Sequence, residues 1–257
     1  MRPDRLFFDR LADAAGKETL PRFRSGTGIV NKEAGGFDPV TEGDRAAEAA
    51  IRALIGDTFP DHGILGEEYG STGLERDHVW VIDPIDGTRA FISGVPMWGT
   101  LIGLYHKGRA VMGLMDQPFT GERYFADGEG AVYRGPEGER RLRSSAVTAL
   151  ADAILFSTSP HLHKGEARQR FDALRHQVRL TRYGCDCYAF ALLAAGHVDL
   201  VVESGVQAYD VGGLIPIVEQ AGGVFTDWSG GRAEMGGNVV AAANPALHAA
   251  ALAVLSG

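Results

Sequence analysis

The chain reads as an α/β protein whose pattern changes partway along, with an α/β second half. Three observations predict this. The run Val79-Trp80-Val81-Ile82 is short, continuous and apolar, like a buried strand, and it stops at Asp83. Two alternating segments, 100–105 and 110–115, flank His106-Lys107-Gly108 as the strands of a hairpin would. From residue 153 onward, strand patterns and helix patterns take turns.

The elements follow in order. Residues 4–24 predict an amphipathic helix, with Leu6, Phe7, Leu11 and Ala14 on one face. Gly35-Gly36 marks a mobile loop. Residues 44–55 are alanine-rich, with Ile51, Leu54 and Ile55 apolar, and predict a second helix. Gly63-Ile64-Leu65-Gly66 leads into the acidic pair Glu67-Glu68. Short strands at 124–126 and 131–133 enclose the turn Asp127-Gly128-Glu129-Gly130. The charged stretch 136–143 suggests a boundary, dividing the chain into residues 1–140 and 141–257. Beyond it come a strand (153–157), a helix (165–175), a strand (178–182) and a helix (187–195). A strand (198–203), a helix (211–220) and a strand (223–227) follow. Asn244-Pro245 starts the last helix, a cap residue with proline in the first turn.

Composition narrows the function. The 257 residues, 45% hydrophobic, can build one large core or two small ones. A net charge of −8 disfavours non-specific nucleic-acid binding. The two cysteines, Cys185 and Cys187, are poorly spaced to bridge each other and point to a reducing compartment. The N-terminus lacks an apolar signal core, and no stretch approaches the roughly 20 apolar residues of a membrane span. A cytoplasmic protein with no membrane partner is expected.

The chemistry gathers at Asp83-Pro84-Ile85-Asp86-Gly87-Thr88. Pro84 cannot donate to a sheet ladder, and glycine at 87 permits a sharp turn. Both carboxylates therefore sit at a turn just after a rigid strand, which suits a hard divalent cation. The backbone N–H groups of Gly87 and Thr88 suit a phosphate oxygen. Asp44, Glu67 and Asp210 also fall where strands or loops meet helices or turns. Taken singly, Asp210 reads as a helix cap and Glu67 as a solvated loop residue. His161-x-His163 reads as polar surface loop rather than a metal site. Trp98, Tyr105, Tyr124 and Phe125 read as packing groups.

Together these segments resemble the signature motifs of the inositol-monophosphatase superfamily. The carrying residues are Gly66-Glu67-Glu68, Trp80 to Thr88, Tyr209-Asp210-Val211, and Glu219 with Ala221-Gly222-Gly223. The resemblance spans about the whole chain and implies a layered α-β-α-β-α sugar-phosphatase-like fold, with an α+β N-terminal half and an α/β C-terminal half. It also implies Mg²⁺-dependent hydrolysis of a small-molecule phosphate monoester by a homodimer. On that resemblance, Glu67, Asp83 and the carbonyl of Ile85 would hold one Mg²⁺. Asp83, Asp86 and Asp210 would hold a second, and a third, weaker ion would sit near Glu67. Asp44 and Thr88 would orient and deprotonate the attacking water, and Gly87 and Thr88 would hold the phosphate.

Within the superfamily the chain resembles the histidinol-phosphate phosphatases of histidine biosynthesis more than the inositol enzymes. Asp86 to Gly94, Pro96-x-Trp98 to Ile102, and Tyr183 to Tyr188 carry this. Asp186 and Glu203 then become substrate contacts, and two carboxylates suit a cationic leaving group better than a neutral polyol. The plain alternative for Asp186 is a cap on the helix beginning near Cys187. Arg89 and Arg182 are further substrate candidates, with Arg89 equally able to pin its loop to a carboxylate. The competing functions are an inositol-1-monophosphatase, a broad phosphatase, and a non-catalytic regulatory protein of the same fold.

Overall fold

The computed structural model describes residues 3–25, 29–31 and 39–256. Gly35-Gly36 lies outside them. Helix α1 (Arg5–Thr19) opens the described chain, and the Asp4 carboxylate caps it by accepting the Phe7 N–H at 2.9 Å. It ends before residue 24 because Pro21 has no N–H for the helix ladder. Strands β1 (Ile29–Asn31) and β2 (Pro39–Thr41) form a ribbon. Helix α2 (Glu42–Thr58) runs longer than 44–55 because a capping box of Thr41 and Asp44 starts it earlier.

Next come β3 (Gly63–Gly66), β4 (Gly70–Thr72), β5 (His78–Asp86), the short helix α3 (Thr88–Ile92), β6 (Gly99–His106) and β7 (Arg109–Gln117). Strands β8 (Glu122–Ala126), β9 (Ala131–Gly135) and β10 (Gly138–Arg141) complete an eight-stranded sheet ordered β10-β9-β8-β7-β6-β5-β3-β4. The charged stretch 136–143 is therefore not only a connector. Its middle is an exposed edge strand, and charge there discourages pairing with another chain.

The second sheet holds β11 (Ile154–Ser157), β12 (Leu180–Tyr183), β13 (Leu200–Val206), β14 (Val224–Asp227) and β15 (Gly237–Ala242), ordered β12-β11-β13-β15-β14. Strand β11 runs parallel to β12 and β13, whereas β15 is antiparallel to both its neighbours. Around it pack α4 (Gly165–Arg175), α5 (Asp186–Ala194), α6 (Ala208–Gly212), α7 (Leu214–Gln220) and α8 (Pro245–Leu255). The helix expected over 211–220 is two helices, divided at Gly213.

Burial alternates along the strands and sets the layers. Ile102 faces Phe8, Leu11 and Ile51 of α1 and α2, while its neighbour Leu101 faces the middle of the molecule. There Phe190 of α5 and Leu214 and Ile217 of α7 lie between the sheets, against Val201 and Val239. Phe171 of α4 and Leu247 of α8 cover the far face over Leu200 and Val202. The order is thus α-β-α-β-α, and the central layer gives both halves one shared core. At the junction of α6 and α7 glycine meets glycine. A Cβ on Gly113 would lie 2.0 Å from the Gly213 carbonyl oxygen, and one on Gly103 would lie 2.5 Å from Gly212 backbone. This close approach brings Asp210 of the second half to the end of β5. No described helix is long and apolar enough to cross a membrane.

Candidate active site

The turn after β5 is built as a bulge. Asp83 pairs with Leu101 and Asp86 with Gly99, so β5 carries one more residue than β6 across this stretch. The Thr100 hydroxyl donates to the Pro84 carbonyl at 2.8 Å and holds the bulge. The Ile85 side chain anchors it among Phe23, Phe91 and Trp98. The Ile85 N–H donates to Asp83 Oδ1 at 3.0 Å, and the Thr88 hydroxyl donates to the Ile85 carbonyl at 3.1 Å. Gly87 has φ 84°, and a Cβ there would lie 3.0 Å from the Met97 carbonyl oxygen, so the turn requires glycine.

This turn forms one wall of a cavity of 330 Å³. The C-terminal ends of β3, β5, β11 and β13 open into it, as do the starts of α3, α5 and α6. Parallel strand ends and helix starts are where such folds ordinarily bind ligands. Glu67, Asp83, Ile85, Asp86 and Asp210 line it, and so do Gly87, Thr88 and Arg89. Asp186 and Glu203 line the side belonging to the second half.

Asp83, Asp86 and Asp210 each place a carboxylate oxygen within 4.8 Å of the others. Burial, and then repulsion from Glu67, Asp86 and Asp210, pushes the Asp83 carboxyl well above the usual carboxylate range. Burial with Asp186 and Asp210 does the same to Asp86. Burial lifts Asp210 to about 7, although the Gln207 N–H, donating at 2.7 Å, opposes the rise. Clustered, buried, oxygen-only ligands that repel one another match what a hard divalent cation needs, so the residues fit one. Asp210 is also the third residue of α6, reaching back to cap it. The cap and the site use the same side chain.

Helix α5 starts at this cavity in an unexpected way. The N–H of its second residue, Cys187, donates to Asp86 Oδ2 at 2.6 Å, so a carboxylate from the first half caps it. Asp186 is therefore not the cap. Its backbone is left-handed, at φ 42°, and its side chain turns toward the cavity and Thr158. Burial raises its carboxyl to about 6, opposed by the charge of Arg89. Arg89 thus acts on a carboxylate from the other half of the chain. Glu203 is buried, accepting the Thr158 N–H at 2.6 Å and the Ser157 hydroxyl at 3.4 Å, and burial raises it to about 8.

Two candidates fall elsewhere. Asp44 does not line the cavity. It is buried at the start of α2, where Oδ2 accepts the Thr41 N–H at 2.8 Å and the Thr41 hydroxyl at 2.5 Å. Arg182 lies exposed on edge strand β12, outside the cavity lining. The histidine reading needs correction too. His161 is exposed, but His163 is buried, its ring stacked on Phe171 with centroids 3.9 Å apart. The pattern missed this because a core position in a loop has no periodicity. Thr158, Ser157 and Ser204 were also missed. Their signal was a polar pair ending the apolar strand Ile154-Leu155-Phe156.

The model of the inositol monophosphatase family matches residues 4–256. A bifunctional phosphatase, IMPL2 (chloroplastic), of Arabidopsis thaliana is 42% identical over 254 residues, covering 94% of this chain and 72% of its own. A histidinol-phosphatase of Chlorobaculum parvum is 36% identical over 250 residues, covering 96% of this chain and 94% of its own. Among solved structures, an inositol monophosphatase from Zymomonas mobilis superposes with a TM-score of 0.86 at 38% identity, covering 98% of this chain and 97% of that one.

Proposed function

Because the chain belongs to the inositol monophosphatase family and is a phosphoric monoester hydrolase, we propose that its substrate is histidinol phosphate and its metal Mg²⁺. The observation that carries this is the pair Asp186 and Glu203, two further carboxylates that line the cavity from the second half of the chain. A phosphate needs positive charge at one end of the cavity. Carboxylates beyond the acidic cluster suit a substrate whose leaving group is itself cationic, as an amine beside an imidazole is. The similarity to the histidinol-phosphatase of Chlorobaculum parvum supports the same substrate.

In this reading Glu67, Asp83, Asp86, Asp210 and the Ile85 carbonyl hold the Mg²⁺, two or three ions per site. An ion bound there would supply Lewis acidity for activating water and positive charge against the phosphate. Gly87 and Thr88 offer backbone N–H groups to the phosphate oxygens. Thr88 orients the attacking water with Glu67 assisting, and Asp44, which repels Glu67 and Asp83 from behind the cavity lining, takes the proton. Arg89 holds Asp186 in an ionised form, ready for the ammonium. The enzyme acts as a cytoplasmic homodimer in histidine biosynthesis. Inositol 1-phosphate is the alternative substrate, favoured by the similarity to the Zymomonas mobilis inositol monophosphatase.

Phosphate release with Mg²⁺ from histidinol phosphate, inositol 1-phosphate and glycerol 2-phosphate separates the two. A kcat/KM at least tenfold higher on histidinol phosphate is expected. Equal or higher turnover of inositol 1-phosphate would make the alternative correct.

A further inference from the structure

Behind the Glu203 wall lies a chain of side-chain hydrogen bonds that the proposed chemistry does not use. His163 Nδ1 is 2.7 Å from the Ser204 hydroxyl, and its Nε2 is 3.0 Å from the Ser157 hydroxyl. The Ser157 hydroxyl in turn donates to Glu203 Oε2 at 3.4 Å. Ser204 follows Glu203 directly and lines the cavity, whereas Ser157 ends the neighbouring strand β11. One imidazole thus ties two adjacent strands together on either side of a single carboxylate. The ring is fixed by packing, stacked on Phe171 and 6.0 Å from Trp228.

The donors in this chain have a required direction. A cationic tail at the wall would hold Glu203 ionised against the rise that burial imposes, and an ionised carboxylate only accepts. Ser157 must then donate to Glu203, so its oxygen accepts from His163 Nε2–H. Nδ1 is left as the acceptor, and Ser204 donates to it. Burial holds the His163 imidazole down at about 4, so the ring is neutral and one nitrogen can accept. Every bond then points toward Glu203, with the Thr158 N–H completing the set on Oε1.

We propose that His163 is a positioning residue that orients Glu203, and through it the wall that receives the cationic tail of the substrate. The inference rests on the proposed function in taking Glu203 as a substrate contact. It adds that recognition depends on a buried ring that never touches substrate. Loss of the ring's two hydrogen bonds should weaken substrate binding rather than slow the chemical step, because the groups near phosphorus lie on the other wall.

The test is a double-mutant cycle of His163→Phe and Glu203→Gln, with His163→Gln as the rescue. Phenylalanine keeps the stack on Phe171 but removes both hydrogen bonds, and glutamine restores a donor toward Ser157. Steady-state kinetics is run on whichever monoester the wild-type enzyme prefers. His163→Phe should raise KM about tenfold with kcat within about twofold, and His163→Gln should recover most of that. The double variant should be no worse than Glu203→Gln alone, since residues acting as one unit are not additive. Additive losses, or a fall in kcat without a change in KM, would overturn the proposal. A preference for inositol 1-phosphate would defeat the histidinol assignment alone, and the cycle would still decide the role of His163.

Discussion

At the scale of single residues, the site is held together by carboxylates that each do two jobs. Asp86 caps α5 through the Cys187 N–H, and Asp210 caps α6 through the Gln207 N–H, while both face the cavity. Asp83 takes the Ile85 N–H and stands at the centre of the repulsion. Asp83→Asn should therefore abolish turnover yet leave the metal-free protein at least as stable, since asparagine keeps an acceptor and removes a charge. Phosphate release and thermal melting in EDTA check both halves of this expectation. Activity within a few-fold of wild type at saturating Mg²⁺ would reject Asp83 as a ligand. Carboxylates like these were readable in the sequence because an apolar strand ending in two acids has few uses. Asp186 was readable as a residue but not as a role, because its competing cap came from Asp86, a hundred residues away in sequence and invisible to local spacing. His163 was misread for the same reason, since only the folded chain brings Phe171 and Ser204 to it.

At the scale of elements, helix α2 supports the cavity-facing turn that carries Glu67. Glu48, wholly buried, accepts the N–H groups of Glu68 at 2.7 Å and Tyr69 at 3.2 Å. Arg52 one turn on donates to Glu48 at 2.6 Å and also to the Gly70 carbonyl. Gly66 makes room, because a Cβ there would lie 2.0 Å from Glu48 Oε1. Glu48→Gln keeps the shape but replaces one acceptor oxygen with a donor facing a donor. It should weaken Mg²⁺ binding several-fold by calorimetry, with a modest fall in melting temperature. Unchanged Mg²⁺ affinity would mean that the turn holds Glu67 without help from α2. Helix α2 was read from its alanines and isoleucines, and β5 from its apolar run. The break at Gly213 was not, because it exists only to let Gly103 and Gly113 approach. Strand β10 was hidden by charge that an edge strand tolerates and a buried one would not.

At the scale of the whole molecule, one cavity draws Glu67, Asp83 and Asp86 from the first half and Asp186, Glu203 and Asp210 from the second. This makes stability depend on metal and pH together. Asp44 and Asp210 are lifted to about 7 and Glu203 to about 8, with burial the largest cause in each. A carboxyl raised on folding stabilises fully below its unfolded value and loses that contribution as pH rises through its folded value. His62 and His163, held near 4 by burial, act in the opposite sense, losing theirs as pH falls from about 6.5. Mg²⁺ competes with protons at the carboxylates and leaves the histidine contribution in place. The rise in melting temperature caused by Mg²⁺ should therefore be larger at pH 8 than at pH 5, and a rise independent of pH would contradict a carboxylate site. The second sheet was foreshadowed by strand–helix alternation and part of the first by its hairpin, whereas the layered order was implied by the family resemblance. The meeting of the halves was not, since it depends on contacts between residues far apart in sequence. That meeting underlies the central claim, that one half binds phosphate while the other selects a cation. Asp186→Ala tests it most directly, through the ratio of kcat/KM on histidinol phosphate to that on glycerol 2-phosphate. A lost charge-assisted hydrogen bond is worth roughly 1.5–3 kcal/mol, so the ratio should fall about tenfold to hundredfold. An unchanged ratio, with both substrates losing equally, would contradict the account.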